Sequence, residues 1–383
     1  MILVWGTLTD TPLKMIHGEL SSQRAPVLLL DHRSVLDTEL DISIDAGVHA
    51  RIRIAGEEWN LDEVTAAYVR PPDPRCHPAV AQAGEGSDVW QHALALDDAL
   101  HGWLELTDAL VVNRSSAMAP NNCKPLQAMQ IRSFGFQTPD TLIATDADAV
   151  QAFWAEHGTV IYKSISGVRS IVARLTEAHM QRMDDLGWCP TQFQQYVPGA
   201  DYRVHVVGED VFACRIECEA DDYRYASRQG LPIAIEACTL PPECAERCRL
   251  LAASMGLMLA GIDLRLTPEG RWFCFEVNPS PAFSYYQSVT GQPIAAAVAC
   301  LLMQGTARLR AGPGTANVMC ETGAFLDSRS NREGSSDENE DSTSGHDVLQ
   351  RTAVADVAGP ARRRAPRRSG RRKRHDRSSS VEF

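Results

Sequence analysis

Apolar and polar residues alternate along this chain with periods that change at turn-forming residues, and each change predicts an element. Short apolar runs at residues 2–5, 27–31, 66–70 and 109–113 read as strands, with helical spacing up to about residue 22 and again over 87–105. Residues 42–45 and 51–55 alternate on either side of Gly47 and predict a hairpin, and Pro71-Pro72 stops the strand before them. Strands interleaved with helices over roughly the first 115 residues predict a small α/β sheet domain. Its first loop, from Trp5 to Asp10, lacks GxGxxG, so no dinucleotide is expected there.

A second module opens with a helix at 120–134, capped by Asn121 or Asn122 and stopped at Gly135. A strand at 141–144, a helix at 146–157 and a strand at 159–165 follow, then a turn of small residues at 164–170 and a strand at 171–175. A strand at 192–197 ends at Pro198-Gly199, and residues 201–219 form a hairpin turning at Gly208-Glu209-Asp210 that carries Arg203 and Arg215 on one sheet. A strand at 233–237, a helix at 241–255 ending at Gly256, a hairpin at 261–281 and a helix at 294–303 complete the periodic part. Beyond residue 312 an acidic, Ser-rich run and then an Arg-rich run predict a disordered tail over 312–383.

Composition agrees with several domains: 383 residues, 44% of them hydrophobic, can fill more than one core. Charge is unevenly spread. Ten of the 37 basic and two of the 49 acidic residues lie in 361–383, leaving a net of −20 on residues 1–360. So acidic a body is a poor nucleic-acid binder, and only the basic tail suits RNA, an acidic partner or the body itself. The 11 cysteines are scattered without a CxxC, which points to a reducing cytosol. Cys214/Cys218 and Cys244/Cys248 read as buried small hydrophobes in preference to zinc ligands. No targeting segment is visible and no apolar run approaches about 18 residues, so a cytoplasmic chain without a membrane span is expected.

The chain has four lysines, Lys14, Lys124, Lys163 and Lys373, and otherwise uses Arg. Lys124 falls in the first turn of a helix, where a cation adds to an anion site; the same position also fits a solvated lysine. Lys163 follows Val160 and Ile161 on a strand, and a buried lysine there calls for an anionic partner. The turn with Ser166 and Gly167 can direct backbone N–H groups at phosphate oxygens. In the 261–281 hairpin, antiparallel pairing brings Asp263, Glu276 and Asn278 to one end, with Glu276 and Asn278 on one strand face. Two carboxylates and an amide oxygen suit Mg²⁺, although the pattern also fits a solvated hairpin face.

With these parts in order, the chain resembles the ATP-grasp superfamily from about residue 111 to 303. The landmarks are VIYKSISG, FQQYVPGADYRVHVVGEDVFACRIE, DDYR and GIDLRLTPEGRWFCFEVNPSP. Within the superfamily it resembles the RimK-like ligases, and AYVRPP, the VNR strand end and TGQPIAAAVACLL look most like the graspetide (microviridin-type) peptide ligases.

The resemblance implies a mixed α/β (α+β) ATP-grasp fold: a pre-ATP-grasp domain at 1–115, a central subdomain at 116–190 and a C-terminal subdomain with the metal site at 191–310. It also implies roles. Lys124, Lys163, Ser166 and Gly167 would bind ATP phosphates, with Gln195, Tyr196 and Val197 as the hinge facing adenine. Arg203 would contact the transferred phosphate, Arg215 and Arg224 the acceptor carboxylate or its acyl phosphate, and Asp263, Glu276 and Asn278 two Mg²⁺.

Two features depart from the pattern: Gln195 stands where many relatives have Glu, and the phosphate loop has a single Gly. The implied reaction activates a carboxylate as an acyl phosphate, which an amine or hydroxyl then displaces, crosslinking side chains of a ribosomally made peptide. Addition of free amino acids to a protein or small molecule, and a catalytically silent nucleotide-binding scaffold, are the alternatives. A homodimer is implied by the resemblance as well.

Overall fold

A computed structural model describes residues 1–164, 172–218, 223 and 230–311, the side chains of residues 122 and 306–311 excepted. Ser166, Gly167, Arg224 and the expected tail at 312–383 lie outside the described residues.

The N-terminal strands β1 (Ile2–Gly6) and β2 (Val27–Asp31) flank the helix α1 (Thr11–Ser22). A meander of β3 (Thr38–Ile44), β4 (Val48–Ile54) and β5 (Glu57–Asn60) follows, then β6 (Ala66–Arg70), α2 (Pro78–Ala83), α3 (Asp88–Leu106) and β7 (Leu110–Val112). Strands β2-β1-β6-β7 form a parallel sheet in that order. β1 is buried along its whole length, as a parallel strand covered on both faces must be, which is why it reads as an unbroken apolar run. β5 was not evident from periodicity, because only Trp59 is apolar in its four residues.

The middle of the chain contains α4 (Ser115–Met118), α5 (Lys124–Ser133), β8 (Thr141–Ala144), α6 (Ala147–His157), β9 (Val160–Ser164), β10 (Ala173–Arg174), α7 (Glu177–Met180) and β11 (Thr191–Gln195). β10-β9-β11-β8 form an antiparallel sheet. One face packs Val160 and Phe193 against Val150 of α6. The N-cap position of α5 falls on Cys123, which makes no side-chain cap bond, and not on the expected Asn121 or Asn122, which lie in a 3₁₀ turn over Ala119–Asn122.

The last sheet is β14-β13-β12-β15-β16, built from β12 (Ala200–Val207), β13 (Asp210–Cys218), β14 (Ile233–Cys238), β15 (Leu259–Leu266) and β16 (Trp272–Asn278). α8 (Pro242–Ser254) covers one face, where Cys244, Cys248 and Leu251 pack on Val204, Ile262 and Cys274; the two helix cysteines are core residues, as their spacing suggested. α9 (Ser284–Thr290) and α10 (Ile294–Ala311) close the described chain. The Ile294, Val298 and Leu302 side chains of α10 join Ile2, Val4, Leu13 and Ile16 of the N-terminal elements and Val207 and Leu259 of the last sheet in one apolar cluster, so this helix packs on both.

Candidate functional site

The hairpin register sets the site. Asp263 lies directly opposite Glu276, and Gly261 opposite Asn278, with an irregularity just after Asp263. Directly opposed residues of an antiparallel pair share a face, so the two carboxylates are neighbours with Asn278 beyond them. On the other side of β15, Arg203 of β12 lies opposite Asp263. A row of Arg203, Asp263 and Glu276 therefore crosses three adjacent strands.

Two carboxylates side by side repel, and each has a cation beside it. Arg203 Nη1 donates to Asp263 Oδ1 at 2.7 Å, and Lys124 Nζ, at the first residue of α5, lies 3.9 Å from Glu276 Oε1. The Arg203 side chain is 7% exposed. Burial pulls its pKa down, but the Asp263 carboxylate and the Tyr223 and Tyr286 hydroxyls outweigh that and raise it, so the guanidinium keeps its charge. His205 lies behind it, 3.5 Å from Arg203 Nε; burial first and Arg203 second push the imidazole far below its usual value, leaving it neutral. The Tyr223 hydroxyl lies 3.5 Å from Asp263 Oδ1 and 3.0 Å from the Tyr286 hydroxyl.

Gly261 makes room for this arrangement. A Cβ there would overlap Arg203 Nη2 and sit 2.7 Å from Pro281 Cβ.

A cavity of about 310 Å³ opens beside Glu276 and Phe275, lined also by Lys124, Lys163, Gln192 and Gln194. Gln192 is opposite Lys163 in register, and the two share the sheet face turned away from Phe193. Both glutamines are buried, and among the described residues their Oε1 atoms have no hydrogen-bond partner. Orphaned buried acceptors beside lysines and a carboxylate are what a bound polar ligand would satisfy. Sequence reasoning missed this pair, although polar residues at 192 and 194 around Phe193 on a strand were the available sign.

The expected hinge lies at the end of β11. The Gln195 N–H donates to Asp140 O at 2.9 Å and the Tyr196 N–H to Thr159 O at 3.0 Å, while Val197 O accepts from Arg265 Nη1 at 2.8 Å. The Tyr196 ring faces the Arg174 guanidinium at 4.6 Å.

Arg215 shares the sheet with Arg203, but Arg203 pairs with Cys214, so alternation sends Arg215 to the opposite face, where it is half-exposed and bridges Glu217 at 3.0 Å. The structure does not bring it to the carboxylates.

Asp263 and Glu276 offer carboxylate oxygens and Asn278 an amide oxygen that also accepts from the Ser280 N–H at 2.9 Å, and the Glu276 carboxylate has the Lys124 ammonium 3.9 Å away. Hard oxygen donors of this kind are the type that Mg²⁺ prefers.

Residues 121–302 match the RimK-like ATP-grasp domain. Over 173 residues the chain is 28% identical to a glutathione synthetase of Neisseria meningitidis, covering 42% of this chain and 53% of that one, about half its length. It is 26% identical over 217 residues to a probable alpha-L-glutamate ligase of Xanthomonas axonopodis, covering 54% and 72%. Among solved structures, a RiPP-associated ATP-grasp ligase of Chryseobacterium gregarium, in complex with ADP and a leader and core peptide, aligns with a TM-score of 0.68 at 20% identity over 79% of this chain and 96% of that one. The macrocyclase MdnC of Microcystis aeruginosa, bound with precursor peptide MdnA, aligns at 0.66 and 21% identity over 79% and 98%. These structures share the fold.

Proposed function

We propose that this chain, which carries a RimK-like ATP-grasp domain over residues 121–302, is an ATP-dependent ligase that joins a carboxylate to an amine or hydroxyl within a ribosomally made peptide. The observation that carries the reading is the convergence of Lys124, Lys163 and Glu276 on one cavity, with Asp263 opposite Glu276 and Arg203 behind it.

Lys124 and Lys163 hold the polyphosphate, and Arg203 meets the phosphate being transferred. Asp263, Glu276 and Asn278 hold Mg²⁺, two ions by the family resemblance; bound there, the metal neutralises phosphate charge. A substrate carboxylate oxygen attacks the γ-phosphorus and ADP leaves, giving an acyl phosphate. An amine or hydroxyl then attacks the acyl carbon, loses its proton, and phosphate departs. No protein nucleophile takes part. The residues contribute by position and charge, which is the main source of catalysis in phosphoryl transfer. Arg224 clamps the acceptor carboxylate in this reading, and Ser166 and Gly167 cover the phosphates. Gln195, Tyr196 and Val197 face the adenine. Among the described residues no helix is long and apolar enough to cross a membrane, and we place the reaction in the cytoplasm.

The two ligases reported with peptides support a peptide substrate. The names of the curated relatives favour a second reading, addition of a free amino acid. ATP-dependent ADP release by wild type and Asp263→Asn, with and without peptides encoded beside the gene, tests both. Stimulation by one peptide with loss of one water per link supports the first reading, mass gain by an added amino acid supports the second, and nucleotide binding with no stimulation by either acceptor class points to a silent scaffold.

A further inference from the structure

β16 carries two of the proposed metal ligands, yet among the described strands it pairs with β15 alone, apart from a one-residue bridge between Gln137 and Phe273. The outward N–H and C=O groups of a buried edge need partners from elsewhere. Backbone of residue 137 serves at one end: the Gln137 N–H donates to Trp272 O at 3.1 Å, and the Cys274 N–H to Gln137 O at 2.8 Å. At the other end Asn113 Nδ2 donates to Pro279 O at 2.6 Å. Between them lies Val277, the residue separating Glu276 from Asn278. Its N–H donates to Gln127 Oε1 at 3.1 Å, and its carbonyl accepts from Gln127 Nε2 at 2.9 Å.

Gln127 is 3% exposed and sits on α5 three residues after Lys124, on the same helix face. Its amide stands in for a missing strand at one residue, and only one orientation satisfies both Val277 groups. Edge satisfaction alone needs some partner at Val277. A partner on the helix that bears Lys124 does more: it ties the height of β16 to that of α5, and with it the 3.9 Å approach of Lys124 to Glu276.

We propose that Gln127 is a positioning residue for the metal site, setting Glu276 and Asn278 against Lys124 through the backbone of Val277. The inference rests on the metal role of Glu276 and Asn278 proposed above. Outer groups that orient metal ligands change metal affinity when removed, typically by about 10–100-fold.

The test is binding of Mn²⁺ in the presence of ADP, followed by electron paramagnetic resonance on the full chain, beside metal-free ADP binding and thermal unfolding. Gln127→Leu, which deletes both bonds at similar bulk, is expected to weaken Mn²⁺ about tenfold, and to weaken it more than it weakens metal-free ADP, since Gln127 also borders the cavity. Gln127→Glu keeps the acceptor for the Val277 N–H and is expected to fall between the two. If Gln127→Leu lacks a cooperative unfolding transition, Gln127→Glu carries the test by itself. Wild-type Mn²⁺ affinity in a folded variant, with only the melting temperature lowered, would overturn the positioning role and leave the functional reading intact. Failure of the wild-type chain to bind Mn²⁺ with ADP would instead remove that reading, and this inference with it.

Discussion

Arg203 Nη1 and Asp263 Oδ1 meet at 2.7 Å across adjacent strands, with the guanidinium resting over Gly261 where any other residue would place a Cβ. The contact fixes the proposed phosphate-contacting cation directly beside the proposed metal ligand. Its two halves can be disturbed separately.

Arg203→Ala leaves Asp263 without its partner, and breaking a largely buried pair is expected to cost about 3 kcal/mol. Gly261→Ala keeps both charges but drives the guanidinium aside, with an overpacking cost of roughly 1–3 kcal/mol. Denaturant unfolding and ADP release should show both variants destabilised and slowed. Full stability and turnover in Gly261→Ala would contradict the close packing of Arg203.

Asp263→Asn preserves an acceptor for Arg203, so the fold should be retained while the metal site loses a charge. The Mg²⁺ concentration for half-maximal ADP release is expected to rise about tenfold or more, as for loss of support around a metal. A wild-type Mg²⁺ requirement would exclude Asp263 from the metal site.

Lys163→Met removes a cation from the cavity. Hydrogen bonds to charged groups are worth about 1.5–3 kcal/mol, so nucleotide affinity should fall roughly 10–100-fold by calorimetry. Unchanged affinity would place the phosphates elsewhere.

Asn113 uses its whole amide. Nδ2 donates to Leu259 O at 2.7 Å and Pro279 O at 2.6 Å, while Oδ1 accepts from the N–H groups of Met258 at 2.8 Å and Leu259 at 3.2 Å. Asn113→Leu strands buried backbone groups and is expected to lower stability by at least about 3 kcal/mol, at roughly 1–3 kcal/mol for each unsatisfied group. Asn113→Asp retains only the accepting half and should fall between. Equal melting temperatures for all three proteins would show that water takes over these bonds.

In the β3–β5 meander, His49 Nδ1 lies 2.8 Å from Asp62. The hydrogen bond with Asp62, then its charge, raises the His49 pKa above 6.5, and the same bond lowers that of Asp62. A raised histidine contributes stability in full below about 6.5, lost as pH climbs through the folded value; a lowered carboxylate loses its contribution only as pH falls through its own folded value. The melting gap between wild type and His49→Gln should thus be widest between the carboxylate range and 6.5, and close in alkaline buffer. A gap independent of pH would mean that the ion pair contributes nothing.

Much of this protein was legible in its sequence because the relevant information is local. Short apolar runs beside proline placed the strands at Val27–Asp31 and Ala66–Arg70, and alternation about a turn placed the hairpin of β15 and β16. Once that hairpin is antiparallel, Asp263 and Glu276 must share an end; that they also share a face depends on the irregularity just after Asp263, without which Asp263 would oppose Phe275. The resemblance to the ATP-grasp fold rests on the order of motifs along the chain, which is read in the same way.

Tertiary structure decided what depends on pairings between distant segments. Arg203 and Arg215 looked equivalent as two arginines of one hairpin, yet register puts them on opposite faces. Lys124 could have been any solvated helix-start lysine until α5 docked along β16 and brought it to Glu276. Gln127 and Asn113 carry no sign of their roles in the sequence, because an amide that serves a strand edge is recognised only when the edge lies beside it. The sequence by itself determined which groups the site can draw on; packing, which satisfies buried backbone and pairs buried charge, determined which of them meet.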